Sequence, residues 1–306
     1  MEVKLGGRGK SMKWRLLRTG HNSGVWNMAV DEAIMIHVAK KVVPPTFRLY
    51  GWVPPALSLG RLQSFERDVD PDSCRSLGVD VVRRPTGGRA VLHDNEVTYS
   101  FIISEDDPLL PPDLRDSFYL ATEGIVKGLA LLGIEAEIQG RQGAGSLADA
   151  YRRELQGRRA PDQSVQSGAC FDSPSWYEVV AGSKKLVGSA QARLKGVFLQ
   201  HGSVLITLGA DKVCRVLRYD DPDARDQAST QLLEHATSIE AILGRSVSFR
   251  EVEEAVISGM QNHISPIELV EGQLLPEELS SAKDLIAKKY GADTWTKRRK
   301  IACLEM

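Results

Sequence analysis

Short apolar runs of strand type, each broken off by Gly or Pro, fill the early part of this chain and constrain what it can fold into. Residues 46–50, 56–59, 79–83, 90–92 and 97–103 carry the apolar, β-branched and aromatic content of strands, and Pro44, Pro54, Gly60 and Gly87 are among the residues that separate them. Residues 14–17 read as a further strand. Asn27 is placed to cap a helix reaching about residue 40, with Val30, Ala33, Ile34 and Val38 on one face. A second helix is expected over 113–132, where Phe118, Ala121, Ile125, Leu129 and Leu132 follow its period and Gly133 ends it. Residues 134–138 then read as a strand, 176–180 and 185–187 as a hairpin across Ala181-Gly182-Ser183, and 197–207 as a strand interrupted at Gly202. Beyond about Ser246 the pattern turns wholly helical. Ser248 and Glu251 form a capping box ahead of Val252, Ala255 and Val256, and Pro276 opens a helix with Leu279, Ala282 and Ile286 inward, closed by Gly291.

This succession predicts an α+β fold, a mixed and largely antiparallel sheet flanked by helices, with a helical C-terminal extension. The expected division is a disordered tail over 1–10, a main domain over 11–245 and a helical extension over 246–306 packed on it. The main domain carries a polar, Arg-rich mobile loop at 139–167, with Arg141, Arg152, Arg153, Arg158 and Arg159. There is no internal repeat.

Composition narrows the function classes. With 42% apolar and 26% charged residues the chain has the balance of an ordinary globular protein, and a formal net charge of −1 gives no global pull towards nucleic acid or membranes. Glu123 and Lys127 interrupt the best candidate for a membrane span, and residues 1–10 lack the apolar core of a signal peptide. The four cysteines, Cys74, Cys170, Cys214 and Cys303, form no C-x-x-C pair, which points to thiols in a reducing cytoplasm. The six histidines have no metal-ligand spacing. Gly9-Lys10-Ser11 lacks the leading glycine of a phosphate-binding loop. Gly143 to Ala148 matches a dinucleotide fingerprint in letters but no apolar strand returns after it.

Three of the cysteines have bland surroundings: Cys74 at a helix start, Cys214 among Val213, Val216 and Leu217, and Cys303 near the end. Cys170 differs, because Lys185 follows it across a Gly/Ser-rich turn. An ammonium favours a thiolate, and a thiolate can hold an acyl group as a thioester. Two further segments offer partners. In Arg83-Arg-Pro-Thr-Gly-Gly-Arg-Ala-Val-Leu-His-Asp94, Gly87 and Gly88 let backbone approach a ligand, Thr86 and His93 offer hydrogen bonds, and Arg84 and Arg89 suit a carbonyl or phosphate. In Lys185-Leu-Val-Gly-Ser-Ala-Gln191, the small Gly188, Ser189 and Ala190 leave space beside the lysine, and Leu199-Gln-His-Gly-Ser203 follows. Alone, the first is an ordinary turn and the second a solvated hairpin lysine. Their co-occurrence with Cys170 favours chemistry.

On these motifs the chain resembles the lipoate/biotin–protein ligase superfamily from Trp14 to about Arg299. The stretch Ala169-Cys-Phe-Asp-Ser-Pro-Ser-Trp-Tyr-Glu178 is similar to its LipM-type octanoyltransferase branch. The resemblance implies the catalytic fold of that superfamily and an octanoyltransferase of lipoate biosynthesis. Its donor would be octanoyl-acyl carrier protein. Its acceptor would be a lysine of a lipoyl-domain protein such as the glycine-cleavage H protein. Cys170 would carry the acyl-thioester and Lys185 would contact the acyl carbonyl and lower the pKa of that thiol. Substrate contacts are implied for Arg84, Thr86, Gly87, Gly88, Arg89, Ala90, Val91, His93, Gly188, Ser189, Ala190 and His201.

No cofactor, metal, nucleic acid or membrane is implied, and a cytoplasmic monomer is expected. Burial of an eight-carbon chain offers about 5 kcal/mol, which is enough to position it. Arg193, Lys195 and the arginines of 141–159 are candidates for a basic rim facing an acidic carrier. An ATP-dependent lipoate–protein ligase, an amidotransferase between lipoyl domains and a non-catalytic carrier-binding protein remain open alternatives.

Overall fold

Two antiparallel strands, β6 (Glu96–Ser104) and β10 (Val197–Leu205), are buried almost end to end and form the centre of the molecule. The structure, a computed structural model, describes residues 12–139 and 178–299. Around the central pair lie β1 (Lys13–Asn22), β2 (Thr46–Trp52), β7 (Glu137–Gln139), β8 (Glu178–Ala181), β9 (Lys184–Leu194) and β11 (Glu268–Glu271). Among the described residues they make an eight-stranded sheet in the order β11-β1-β2-β6-β10-β9-β8-β7, antiparallel except for the β11-β1 and β1-β2 pairs. A separate three-stranded sheet, β4-β3-β5, joins β3 (Ala56–Leu59), β4 (Asp80–Arg83) and β5 (Val91–His93), with the short helices α2 (Phe65–Asp68) and α3 (Pro71–Ser76) between β3 and β4.

Helices cover both faces of the large sheet, which is why its central strands are buried along nearly their whole length, polar residues included. On one face α1 (Gly24–Ala39) and α9 (Pro276–Leu285) pack with Leu17, Tyr50, Trp52, Ile102 and Leu199. On the other, α4 (Leu114–Leu131) and α8 (Phe249–Ile264) cover Phe47, Leu49, Tyr99, Phe101, Phe198 and Val204. The α4–α8 crossing is tight because Gly124 and Gly128 face Gly259. A Cβ on Gly259 would collide with the Gly128 backbone and the Gly124 carbonyl.

Several expectations need correction. Ser23, not Asn27, caps α1: its extended backbone lets its Oγ accept from the Trp26 amide at 3.3 Å. Asn27 lies within the first turn, buried, and donates to the carbonyls of Asn22 and Gly51. The part beyond 246 is not wholly helical, since β11 adds a parallel edge strand to β1; four residues are too few to show a period. Strand β10 runs through Gly202 without interruption. A Cβ there would sit 2.7 Å from Tyr99 Cε1 and 2.8 Å from the Gly188 carbonyl, so the glycine allows close approach rather than breaking pairing. Ser248 caps α8 as expected, but the Glu251 carboxylate pairs with Arg245 instead of closing the box. The helices α5 (Ala210–Arg215), α6 (Pro222–His235) and α7 (Ile239–Leu243) carry no strong sequence signal; the first two close over Leu205, Cys214, Ala228 and Leu232. No helix among the described residues is long and apolar enough to cross a membrane.

The α4–α8 contact yields a first prediction. Gly259→Val forces the two backbones apart and is expected to lower stability by about 3 kcal/mol, at the upper end of overpacking costs. A urea denaturation midpoint unchanged from wild type would show that this crossing is looser than the structure has it.

Candidate functional site

The segment 84–90 leaves β4 as a loop pinned from three sides. Arg84 is buried and folds back on its own loop: Nη2 donates to the carbonyls of Gly87 and Arg89 at 2.7 Å each, and Nη1 to the carbonyl and Oγ of Ser58. Gly88 has φ of +90°, a conformation L side chains rarely adopt, and its carbonyl fills the space where a Cβ on Gly60 would go. Arg83 is fully buried in the opposite direction. It donates to the carbonyls of Gly60, Gln63, Trp295 and Thr296, while the Trp295 indole donates to the Arg83 carbonyl at 2.9 Å. Burial, with Arg299 nearby, pulls the Arg83 pKa down to about 10. The last helix, α10 (Asp293–Thr296), is thereby tied to the root of the loop.

The third anchor is Thr86, whose Oγ1 lies 2.7 Å from His201 Nε2. His201 projects from β10, and its Nδ1 faces Asp31 Oδ2 of α1 at 3.5 Å. The carboxylate accepts only, so the network assigns the proton to Nδ1, and Nε2 then accepts from the threonine hydroxyl. Asp31 also accepts from Arg48 Nη1 at 2.6 Å, the Tyr50 hydroxyl at 3.0 Å and Ser100 Oγ at 2.9 Å. Burial alone would push the Asp31 pKa up, but Arg48 and His201 outweigh it and hold the acid below its ordinary value. Burial lowers the His201 pKa, with Asp31 opposing, so the ring is neutral at pH 7.

A second buried cluster adjoins it. His93 stacks on Trp52 with ring centroids 4.0 Å apart and planes 9° off parallel. Its Nε2 meets Ser58 Oγ at 2.8 Å and its Nδ1 meets Glu96 Oε1 at 2.7 Å; the same oxygen accepts from Ser203 and Thr98. Ala90 and Val91 follow the loop into β5, Ala90 buried and Val91 half-buried. Ala90, Leu92 and Glu96 line a small cavity closed by Leu205, Val213 and Leu232. Arg89 is exposed.

On β9, Lys185 is 3% exposed and its Nζ donates to Glu178 Oε1 at 2.6 Å. Gly188 and Ala190 pair with Ser203 and His201, so all four lie on the sheet face that carries α1. Ser189 turns the other way and its Oγ meets the Tyr99 hydroxyl at 2.8 Å. The structure therefore gathers Thr86, Gly87, Gly88, His93, Gly188, Ala190 and His201 about one face, commits the Arg84 guanidinium to loop carbonyls, and directs Ser189 to the opposite core. Arg193 donates to Pro111 O and Ser117 Oγ at 2.8 Å each and lies over Phe198, so it is a packing residue more than a rim residue; Lys195 is exposed at a turn. Cys170, the Arg-rich loop, the N-terminal tail and both decoy segments lie outside the described residues, as does Cys303. Cys74 and Cys214 are buried, and burial pushes the Cys74 thiol up to about 11, which makes it inert.

Asp31, Arg48 and Glu96 belong to no motif, and Glu178 closes the Cys170 stretch with no role expected of it. One signal was present: Asn27 and Asp31 fall on the same helical stripe as Ile34 and Val38, and Arg48 interrupts an apolar strand. Opposite charges on two faces otherwise destined for burial indicate a buried pair.

Helices thus sandwich the sheet, the glycine loop is pinned over it, and a buried lysine stands on the neighbouring strand. Residues 23–261 match the lipoyl protein ligase A/B catalytic domain, and the chain belongs to that family. It is 46% identical to octanoyltransferase LipM of Kyrpidia tusciae over 94% of this chain and 99% of the relative, and 39% identical to octanoyltransferase LipM of Moorella thermoacetica over 94% and 98%. Two solved structures share the fold. A bi-partite lipoate protein ligase, described with its E2 lipoyl domain, from Thermoplasma acidophilum superposes with a TM-score of 0.72 at 25% identity, covering 94% of this chain and 96% of the other. A lipoate-protein ligase A bound with ATP gives 0.69 at 27%, covering 94% and 99%. The chain is an acyltransferase.

Buried His201 and half-buried His263 predict an acid-sensitive fold. Burial lowers the pKa of both His201 and His263 from the ordinary 6.5, so below that pH the unfolded chain binds more protons than the folded one. Stability is present above about pH 6.5 and declines as pH falls, by at most about 1.4 kcal/mol per pH unit for each group. Urea midpoints measured from pH 7.5 to 5.0 should show this slope, and His201→Gln should flatten it. An unchanged slope in the variant would assign the acid sensitivity elsewhere.

Proposed function

We propose that this enzyme transfers an octanoyl group from octanoyl-acyl carrier protein to a lysine of a lipoyl domain, such as the glycine-cleavage H protein, through a thioester on Cys170, in lipoate biosynthesis. The full-length similarity to octanoyltransferases named LipM carries the reading. The buried Lys185 on the face of Gly188 and Ala190 supports it.

In the first half-reaction the Cys170 thiolate attacks the thioester carbonyl carbon. The C–S bond to the carrier's pantetheine breaks, and that thiolate leaves and takes up a proton. In the second, the neutral amine of the acceptor lysine attacks the Cys170 thioester, loses a proton as the amide forms, and releases the Cys170 thiolate. A thioester is activated relative to an amide, so no nucleotide enters. The Lys185 ammonium favours the attacking thiolate and opposes the charge that develops on the carbonyl oxygen in each tetrahedral intermediate. The loop held by Arg84 and Thr86 presents Gly87 and Gly88 without side chains, so backbone can lie against the acyl chain.

Incubation with octanoyl-acyl carrier protein, without nucleotide, should give a hydroxylamine-labile octanoyl adduct on Cys170 by mass spectrometry, and Cys170→Ala should abolish both adduct and transfer. Transfer that requires ATP and survives Cys170→Ala would replace this reading with a ligase.

A further inference from the structure

A strand alternates its side chains, and Lys185 and Val187 are two apart, so a regular β9 would put both on the same face. Val187 lies in the apolar core beneath α4 and α8, together with Val179 and Leu186. The pairing avoids burying the lysine there. Val179 pairs with Val187 but Val180 pairs with Lys185, so β9 carries one extra residue, Leu186, opposite this step. That bulge sends Lys185 through to the face that carries Glu178, Gly188 and Ala190. Bulges commonly re-aim a side chain beside an active site. The backbone there is fixed from the other side, as the Thr237 amide donates to the Lys185 carbonyl at 2.9 Å and Lys185 bridges to Ala236.

Glu178 meets the re-aimed ammonium. The side chains of Lys185 and Glu178 are 4% and 9% exposed, and their atoms lie 2.6 Å apart. A lysine stem has several rotatable bonds, and a buried ammonium is costly unless paired. We propose that Glu178 is a positioning residue: with the Leu186 bulge, it holds the Lys185 ammonium in place on the face of Gly188 and Ala190 for the acyl-transfer step. This rests on the reading above, in which Lys185 serves the acyl-transfer step. Glu178 itself touches the lysine and takes no covalent part.

The test measures steady-state transfer from octanoyl-acyl carrier protein to a lipoyl domain, with thermal unfolding as a control. Glu178→Gln is expected to lower kcat roughly 100-fold, the usual penalty for a displaced catalytic group, with KM within about threefold; the variant should remain folded but unfold at a lower temperature, because the buried ammonium loses its counter-charge. Glu178→Asp, which keeps the charge but retracts it by one methylene, should lose about tenfold. Because the two residues act as one unit, the Lys185→Ala, Glu178→Gln double variant should be no slower than Lys185→Ala alone. If Glu178→Gln does not fold, Glu178→Asp decides, and wild-type kcat in a folded Glu178→Asp overturns the proposal. Losses that multiply in the double variant also overturn it. An inactive Lys185→Ala beside a fully active Glu178→Gln sinks the role of Glu178 alone, whereas a fully active Lys185→Ala removes the lysine from the reaction.

Discussion

The buried ion pair between Asp31 and Arg48 is the interaction on which the arrangement of the site depends. It joins α1 to β2 with both side chains fully buried. Such a pair adds little stability beyond an apolar pair of the same volume, but breaking one partner leaves an uncompensated charge and costs about 3–5 kcal/mol. Its value is in specifying position. Asp31 accepts from groups on β2, β6 and β10, so α1 can sit over the sheet in only one register. His201 is set by Asp31, and Thr86 by His201. A charge pair in the middle of the molecule thus determines the height of a loop at its edge.

That loop has little freedom left. Arg84 holds it from within, Arg83 anchors its root to the last helix, and Thr86 fastens it to the sheet. A glycine-rich segment would otherwise be among the more mobile parts of a chain. Here its backbone is held while the absence of side chains at Gly87 and Gly88 keeps its surface open. Preorganisation of this kind lets binding energy from an acyl chain go to placing the carbonyl rather than to ordering the protein. The neighbouring His93 is fixed as firmly, sandwiched against Trp52 and bonded at both ring nitrogens.

Much of this was legible in the residues. The strands with alternating or continuous apolar content stand where Gly and Pro bound them; β3 matches its expected limits, and α4 falls short of 113–132 by a residue at each end with Asp113 as its cap. The motif around Thr86 and Gly87 and the lysine of β9 do share one face. What the sequence withheld depends on partners far along the chain. Arg84 looks like a ligand-binding cation until Ser58 and the carbonyls of its own loop are seen to occupy it. Ser189 looks like a pocket residue until the alternation of β9 turns it towards Tyr99. Arg83 reads as an ordinary basic residue beside Arg84, because its carbonyl partners come from two distant segments, 60–63 and 295–296. The bulge at Leu186 has no local signature at all, since nothing in Lys185-Leu-Val-Gly says that pairing will slip by one. Helices α5 and α7 escaped because they are short, and α6 because it is polar on most of its surface, with only Ala228 and Leu232 buried.

The parallel pairing of β11 with β1 carries a consequence for how the chain is made. Lys13 to Leu16 have their outer neighbours at Glu268 to Glu271, nearly the whole chain away. During synthesis the first strand must wait, with one rim unzipped, until the ribosome has released almost everything else. Loop closure over such a span is slow, and an open strand rim in the interval invites other nascent chains. The open rim of β1 thus belongs to the growing chain and not to the finished molecule, where β11 covers it.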